Sequence, residues 1–296
     1  MSNTSVDGVE METYRTVESI TEAQQTLANA GSAASVIAGG QEVMLDLRHG
    51  AIEPEILVDI SEIDELKDIS RRSGGLRIGA CVTYRQLATN SDIRATFPSL
   101  VTAVEDIAGP PIRNNGTIGG AICDADPVFD APAVLLALDA TVTIDGPDRT
   151  VTMPLSEFFS ADGGTVLSTA ELLTSIQLPD RPPQSAATYR SMTPRDGDST
   201  VAGVALCLTF DGDTCKTARL ALTNAGETPE RSREAETVLE GTTVEDTDIG
   251  AAVETLGESL ELRKTERMSH SYREAVFPRL AEQAIREVRD AGGEPQ

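Results

Sequence analysis

Residues 113–140 read RNNGTIGGAICDADPVFDAPAVLLALDA, and the stretch changes character halfway along. From 109 to 120 the chain carries two prolines, two adjacent asparagines and four glycines. So many breakers predict an irregular loop rather than a regular element. Thr117 offers a hydroxyl there, and Gly119 and Gly120 can present backbone amides with no side chain in the way. Over 131–138 the sequence turns continuously apolar, which predicts a buried helix. A glycine loop of this kind can bring N–H donors to an anion.

A second loop of similar make-up lies upstream. Ser35-Val36-Ile37 predicts a short buried strand that runs directly into Ala38-Gly39-Gly40. Gly-Gly after a strand is by itself a common turn, and the segment fits neither GxGxxG nor the Walker pattern. Two such loops could nevertheless grip one pyrophosphate from both sides. Dinucleotide binding is therefore open without a Rossmann fingerprint.

Working outward, Ser19 and Glu22 followed by Ala23, Leu27 and Ala30 predict a capped helix that ends at Gly31. Strands are expected over 56–60, 75–80, 140–144 and 172–178, and helices over 84–87 and 98–107. Asp180-Arg181-Pro182-Pro183 reads as a short stiff linker. Beyond it, apolar runs over 202–210 and 217–223 flank Asp211-Gly212-Asp213, a hairpin signal. Helical spacing then covers 229–239, 249–262 and 272–288. The expected organisation is three units, at 1–60, 61–180 and 184–290.

Lys and Arg total 24 and Asp and Glu 48, a net charge of −24 that disfavours nucleic acid and anionic membranes as partners. Lysine occurs only as Lys67, Lys216 and Lys264, aromatic residues make up 3%, and the acids are scattered along the chain. That pattern suits a salt-adapted, haloarchaeal host, where the screening length falls to about 3 Å at 1 M. No stretch approaches the roughly 20 apolar residues needed to span a bilayer, and residues 1–10 lack signal-peptide character. A cytoplasmic location is expected. Cys81, Cys123, Cys207 and Cys215 show no CxxC spacing, and His49 and His270 are far apart, so neither zinc nor a chain-borne iron–sulfur cluster is expected. Any redox chemistry must come from a cofactor.

With these residues in view, 113–140 resembles the second flavin-binding motif of the FAD-binding subunits of molybdenum hydroxylases, the carbon-monoxide dehydrogenase and xanthine dehydrogenase type. There an R-N-x-G-T-I-G-G core leads into an A-D-P or A-S-P turn. Residues 36–43, VIAGGQEV, resemble the first motif. LVDI (57–60), LRIGACVTY (76–84), ELLTSIQLP (171–179), TYRSMTPRDGD (188–198) and SYREAVFPRL (271–280) agree in order, so the likeness covers nearly the whole chain.

The resemblance implies an α+β fold: a two-subdomain FAD-binding α/β unit of the vanillyl-alcohol-oxidase (PCMH) type, then a C-terminal α/β flavoprotein domain that closes over the ring. It implies that Val36, Ile37, Ala38, Gly39, Gly40, Gln41, Glu42 and Val43, with Thr117, Ile118, Gly119, Gly120 and Ala121, surround the pyrophosphate of FAD. Asp130 would bond the ribityl chain or flavin edge, Leu173 would line the ring and Arg190 would sit near it. Asp124 and Asp126 are lesser candidates. Plainer readings stand beside these: Asp130 as a helix N-cap, Arg190 as a surface ion pair, Leu173 as core. Two residues depart from the family, Ala121 for its Asn or Ser and Asp124 for its His or Asn.

By the same resemblance the chain holds no catalytic residue and no metal. A molybdopterin-binding large subunit and a [2Fe-2S] small subunit would be its partners, as a dimer of heterotrimers. A flavin-free scaffold subunit and a free-standing flavin oxidase remain alternatives. The charge reading carries its own test, because the screening length grows to about 30 Å at 0.01 M. The melting temperature, followed by circular dichroism, is expected to fall as potassium chloride is diluted from molar to millimolar concentration. A melting temperature that stays flat across the series refutes salt adaptation.

Overall fold

Short runs rich in Val, Ile, Leu and Thr, separated by Gly, Pro and Asp, form the strands, as β-branched residues favour. The computed structural model describes residues 4–6, 9–11, 13–161, 163–195, 197–265 and 268–292. At the start, β1 (Thr4–Val6) and β2 (Val9–Met11) pair antiparallel. Next, β3 (Thr13–Thr16), β4 (Ala34–Ile37) and β5 (Ile56–Asp59) make a parallel sheet in the order β3-β5-β4. Helix α1 (Ile20–Ala30) supplies the crossover. The Ser19 hydroxyl accepts from the Glu22 amide at 3.2 Å, and Gly31 closes the helix at φ 60°. Helix α2 (Val43–His49) follows the β4 loop and was not legible beforehand, since Glu42 at its N-cap makes no side-chain cap bond.

The second sheet is antiparallel throughout, in the order β6-β7-β10-β8-β9: β6 (Ile69–Arg72), β7 (Gly75–Gly79), β8 (Thr141–Asp145), β9 (Thr150–Pro154) and β10 (Leu172–Pro179). Six short helices fill the crossover from β7 to β8: α3 (Tyr84–Thr89), α4 (Ser91–Thr96), α5 (Pro98–Glu105), α6 (Pro110–Asn115), α7 (Ile118–Asp124) and α8 (Asp130–Ala137). The irregular loop expected over 109–120 is thus two helical turns. The breakers sit where helices tolerate them, with Pro110 and Pro111 in the first turn of α6 and Gly116-Thr117 between α6 and α7.

In the last third, β11 (Ser185–Met192), β12 (Ala202–Asp211), β13 (Thr214–Thr223) and β14 (Glu230–Arg231) are neighbours in chain order, all antiparallel. Helices α9 (Arg233–Leu239), α10 (Asp246–Ser259) and α11 (His270–Gly292) complete it. Phe277, Ala281, Ala284 and Ile285 of α11 are fully buried in the core shared with this sheet. The helix expected over 229–239 begins only at Arg233. Buried Glu236 explains the difference: it accepts from the Leu220 amide at 2.8 Å and from Arg231 Nε at 2.7 Å, which draws the Arg231 segment onto β13.

Helix α8 joins the second and third sheets. Every one of its residues is buried, as a helix that is apolar nearly all round requires, and its core extends to Tyr189, Ala205 and Ala221 of the third sheet. Asp130 is its first residue and does not cap it; Phe129 occupies the cap position. Instead the Asp130 carboxylate accepts from the Tyr189 hydroxyl and, at 3.1 Å, from Thr200 Oγ1. Burial raises its pKa from the ordinary 3.8 to about 6, against the pull of those two hydroxyl bonds.

A folded pKa above the unfolded value means that the fold holds more protons than the unfolded chain across that window. The contribution of Asp130 to stability is therefore greatest at low pH and falls as pH rises from 3.8 to about 6. Tyr189→Phe, which removes one donor from this carboxylate, is expected to cost about 1–3 kcal/mol. Asp130→Asn keeps the shape and removes the titration, so its melting temperature relative to wild type should climb across the window. A difference that is flat in pH overturns the assignment.

Candidate cofactor cleft

A cleft of about 300 Å³ opens where the loop after β4 meets the turn between α6 and α7. The two loops can touch because residue 39 is glycine. A Cβ at Gly39 would overlap the Asn115 carbonyl and fall 3.1 Å from Gly116 Cα. Close approach of two backbones is the requirement here. Gly40 then turns the chain at φ 68°.

Among the described residues, the backbone amides of Gly39, Gly40, Gln41 and Glu42 donate to no protein acceptor. Gln41 folds back to bond the Gly39 carbonyl through Nε2 at 2.8 Å. A run of amides along a cleft wall with no protein acceptor is suited to an anion, which can take several of these donors at once in place of water.

The second loop differs from expectation. The Ile118 amide donates to Val82 O at 3.0 Å, Gly119 to Ala80 O at 2.9 Å, Gly120 to Thr117 Oγ1 at 3.1 Å and Ala121 to Thr117 O at 3.2 Å. These amides are engaged by the protein. A Cβ at Gly119 would stand 2.5 Å from Ala80 O and 2.6 Å from Ala80 Cβ, so this glycine seats α7 against the end of β7. Gly120 does face the cleft and is exposed.

Val36, the segment from Ala38 to Val43, Thr117, Gly119, Gly120, Ala121, Asp124 and Leu173 all line the cleft. Ile37 and Ile118 do not; each is buried in a hydrophobic core. Asp126 lines instead a second pocket of about 390 Å³, where its carboxylate pairs with Arg263 at 3.0 Å. That pocket shares Glu42 and Phe129 with the cleft and is walled by Thr200, Asn224 and Arg273 of the third unit. Asp130 is kept out of the cleft by its bonds to Tyr189 and Thr200, and Arg190 by its ion pair with Glu287 at 2.6 Å. Sequence reasoning missed Ile112, which lies inside the glycine-bearing stretch, and Tyr84, Ile107 and Phe129, which line the cleft from outside it.

No Lys, Arg or His is among the described residues that line the cleft, whereas Glu42, Asp124 and Glu171 do. Burial is the main cause of the raised pKa of Glu42, helped by Asp46 and Asp126. Asp124 is pushed up to about 6 by desolvation, then by Glu42, Asp126 and Asp46. Its side chain is exposed at the cleft, so solvent screening tempers that interaction. Leu172, Leu173 and Ile107 give the walls an apolar stretch. Free amides beside apolar walls fit a dinucleotide, with the carboxylates as the feature that opposes it.

A parallel βαβ unit set against an antiparallel one across a backbone-lined anion cleft defines a dinucleotide-binding protein. Comparison with known proteins gives the family. Residues 9–181 match the FAD binding domain in molybdopterin dehydrogenase, and 187–288 match the CO dehydrogenase flavoprotein C-terminal domain. The chain is 33% identical over 273 residues to the 6-hydroxypseudooxynicotine dehydrogenase complex subunit alpha of Paenarthrobacter nicotinovorans, covering 92% of each. It is 30% identical to the xanthine dehydrogenase FAD-binding subunit of Escherichia coli O157:H7, covering 89% of this chain and 91% of that one. A solved carbon monoxide dehydrogenase from Hydrogenophaga pseudoflava superposes with a TM-score of 0.90 at 30% identity, over 95% of this chain and 98% of that one. The chain belongs to the FAD-binding family of the molybdopterin dehydrogenases, an oxidoreductase subunit whose cofactor is FAD.

Asp124 stands ionised beside the free amides above about pH 6. A bound pyrophosphate raises its pKa further, so FAD binding above that pH takes up a proton and weakens as pH rises. Asp124→Asn is expected to tighten FAD several-fold at pH 8 and to change it little near pH 5, read by fluorescence titration. An equal effect at both values removes the repulsion argument.

Proposed function

We propose that this chain is the electron-transfer subunit of a molybdenum hydroxylase, working with a molybdopterin-binding large subunit and a [2Fe-2S] small subunit in a dimer of heterotrimers. The observation that carries the reading is the run of unbonded amides from Gly39 to Glu42 in a cleft between the first two units. Those amides and the exposed face of Gly120 would hold the pyrophosphate, and Leu173 with Ile107 would cover an apolar end. We place the flavin end toward the second pocket, because there the third unit supplies the wall through Thr200, Asn224 and Arg263. FAD when bound supplies the redox chemistry, taking electrons from a partner and passing them to an external acceptor. The protein residues hold it, shield it and set the local charge.

Relatives that bear names such as carbon monoxide dehydrogenase medium chain and glyceraldehyde dehydrogenase medium chain support a multi-subunit setting. Among the described residues no helix is long and apolar enough to cross a membrane. The acidic, lysine-poor composition supports the cytoplasm of a salt-adapted, haloarchaeal host. A flavin-free scaffold has less in its favour, since the four amides without a protein acceptor lie together on the wall of one cleft.

Gentle isolation at high salt is expected to yield the chain with two unlike partners, together with molybdenum, iron and visible flavin absorbance. A stable, metal-free homo-oligomer with full oxidase turnover contradicts the proposal. A colourless complex that contains both metals favours the scaffold instead.

A further inference from the structure

We propose that the Tyr84 phenol is a hydrogen-bond donor to the pyrophosphate of FAD, serving from the second loop's side where the Gly119 and Gly120 amides are already engaged. The inference rests on the FAD reading above and adds a residue to it. Tyr84 is the first residue of α3, and its backbone is held on two sides. Its amide donates to Gly116 O at 3.1 Å, while Thr83 and Gln86 close a capping box around the helix start. The ring lies against the backbone of Gly116, so close that a Cβ there would fall 2.9 Å from Tyr84 Cε2.

The hydroxyl is what needs explaining. Tyr84 is only 5% exposed and lines the cleft, yet among the described residues its hydroxyl bonds to no protein atom. It is also absent from the fully buried, unbonded side-chain atoms, so the oxygen lies at the cleft surface. Buried tyrosines ordinarily find a partner for the O–H. A phenol that is nine-tenths buried, unpartnered and set on the wall of a cofactor cleft is a donor positioned for the cofactor.

The surroundings indicate which part of it. Asp130, then Glu42 and Asp124, act on the Tyr84 ionisation, and of these Glu42 and Asp124 line the cleft, Glu42 with its own amide among the four unbonded donors. Burial and these carboxylates push the phenol pKa well up, so the group keeps its proton and can only donate to an anion. Gln41, another side-chain donor of the cleft, bonds the Gly39 carbonyl, while Thr117 Oγ1 accepts from the Gly120 amide and keeps its own O–H to donate. With no Lys, Arg or His among the described lining residues, a phenol locked in its neutral form is a side chain suited to approach a phosphate, beside the Thr117 hydroxyl.

The test is Tyr84→Phe in the full-length chain stripped of FAD, titrated separately with FAD and with ADP, which carries the same diphosphate. Both ligands are expected to weaken by about tenfold to a hundredfold, as for loss of a bond to a charged group. The melting temperature of the stripped protein should stay at the wild-type value, because the hydroxyl has no protein partner to lose. Unchanged FAD affinity in the folded variant overturns the proposal. So does a loss confined to FAD, which assigns the donor to the flavin half, and so does a lowered melting temperature, which makes the hydroxyl structural. A wild-type chain that fails to take up FAD fails the cofactor reading itself, which separates the two.

Discussion

The approach of the Gly39 backbone to the Asn115 carbonyl is the constraint on which the cleft depends. The first unit is built on a parallel sheet and the second on an antiparallel one, and no strand of one pairs with a strand of the other. They meet through loops, and a side chain at residue 39 would hold those loops apart. Once they touch, the chain from Gly39 to Glu42 runs along the gap with no strand or helix to receive its amides. Each such group has no acceptor in the protein, and a bound anion can take several of them at once.

The two glycine loops therefore divide the labour unequally. The upstream loop provides donors. The downstream loop provides shape: Gly119 lets α7 lie on Ala80, Thr117 caps the same helix, and Gly120 leaves one stretch of wall open. Ala121 is buried in the core of the second unit at 5% exposure and also borders the cleft. Nothing at that position reaches a ligand beyond its backbone and methyl group. On this side the loop keeps the Thr117 O–H, and α3 adds a second side-chain donor in Tyr84.

Much of the architecture was legible because it rests on local signals. The Ser19-Glu22 pair, the hairpin around Gly212 and the four-residue spacing from Val276 to Val288 each announce an element that the structure contains. Helix α2 was silent, since its cap makes no side-chain bond, and α9 starts late because buried Glu236 binds β13. In the cleft, glycine content pointed to the right loops but to a partly wrong reason. Whether a glycine is bare for a ligand or for a neighbouring strand depends on what faces it from far along the chain, as Gly119 and Ala80 show. The N-cap reading of Asp130 did not hold for a similar reason: its partners Tyr189 and Thr200 lie far along the sequence, on the other side of α8.

The absence of Lys, Arg and His from the described cleft lining becomes intelligible when the range of each force is considered. In a chain of net charge −24, a diffuse basic patch would be opposed by the surrounding field and weakened further by salt. At about 1 M salt the screening length is about 3 Å, which is the length of a single hydrogen bond. Only donors in direct contact then discriminate a phosphate from the solvent. Backbone amides and a phenol act at that range and carry no formal charge. They also leave the acidic residues Glu42 and Asp124 in place, at a local cost that screening reduces, so a surface suited to high salt and an anion site can share the same few residues.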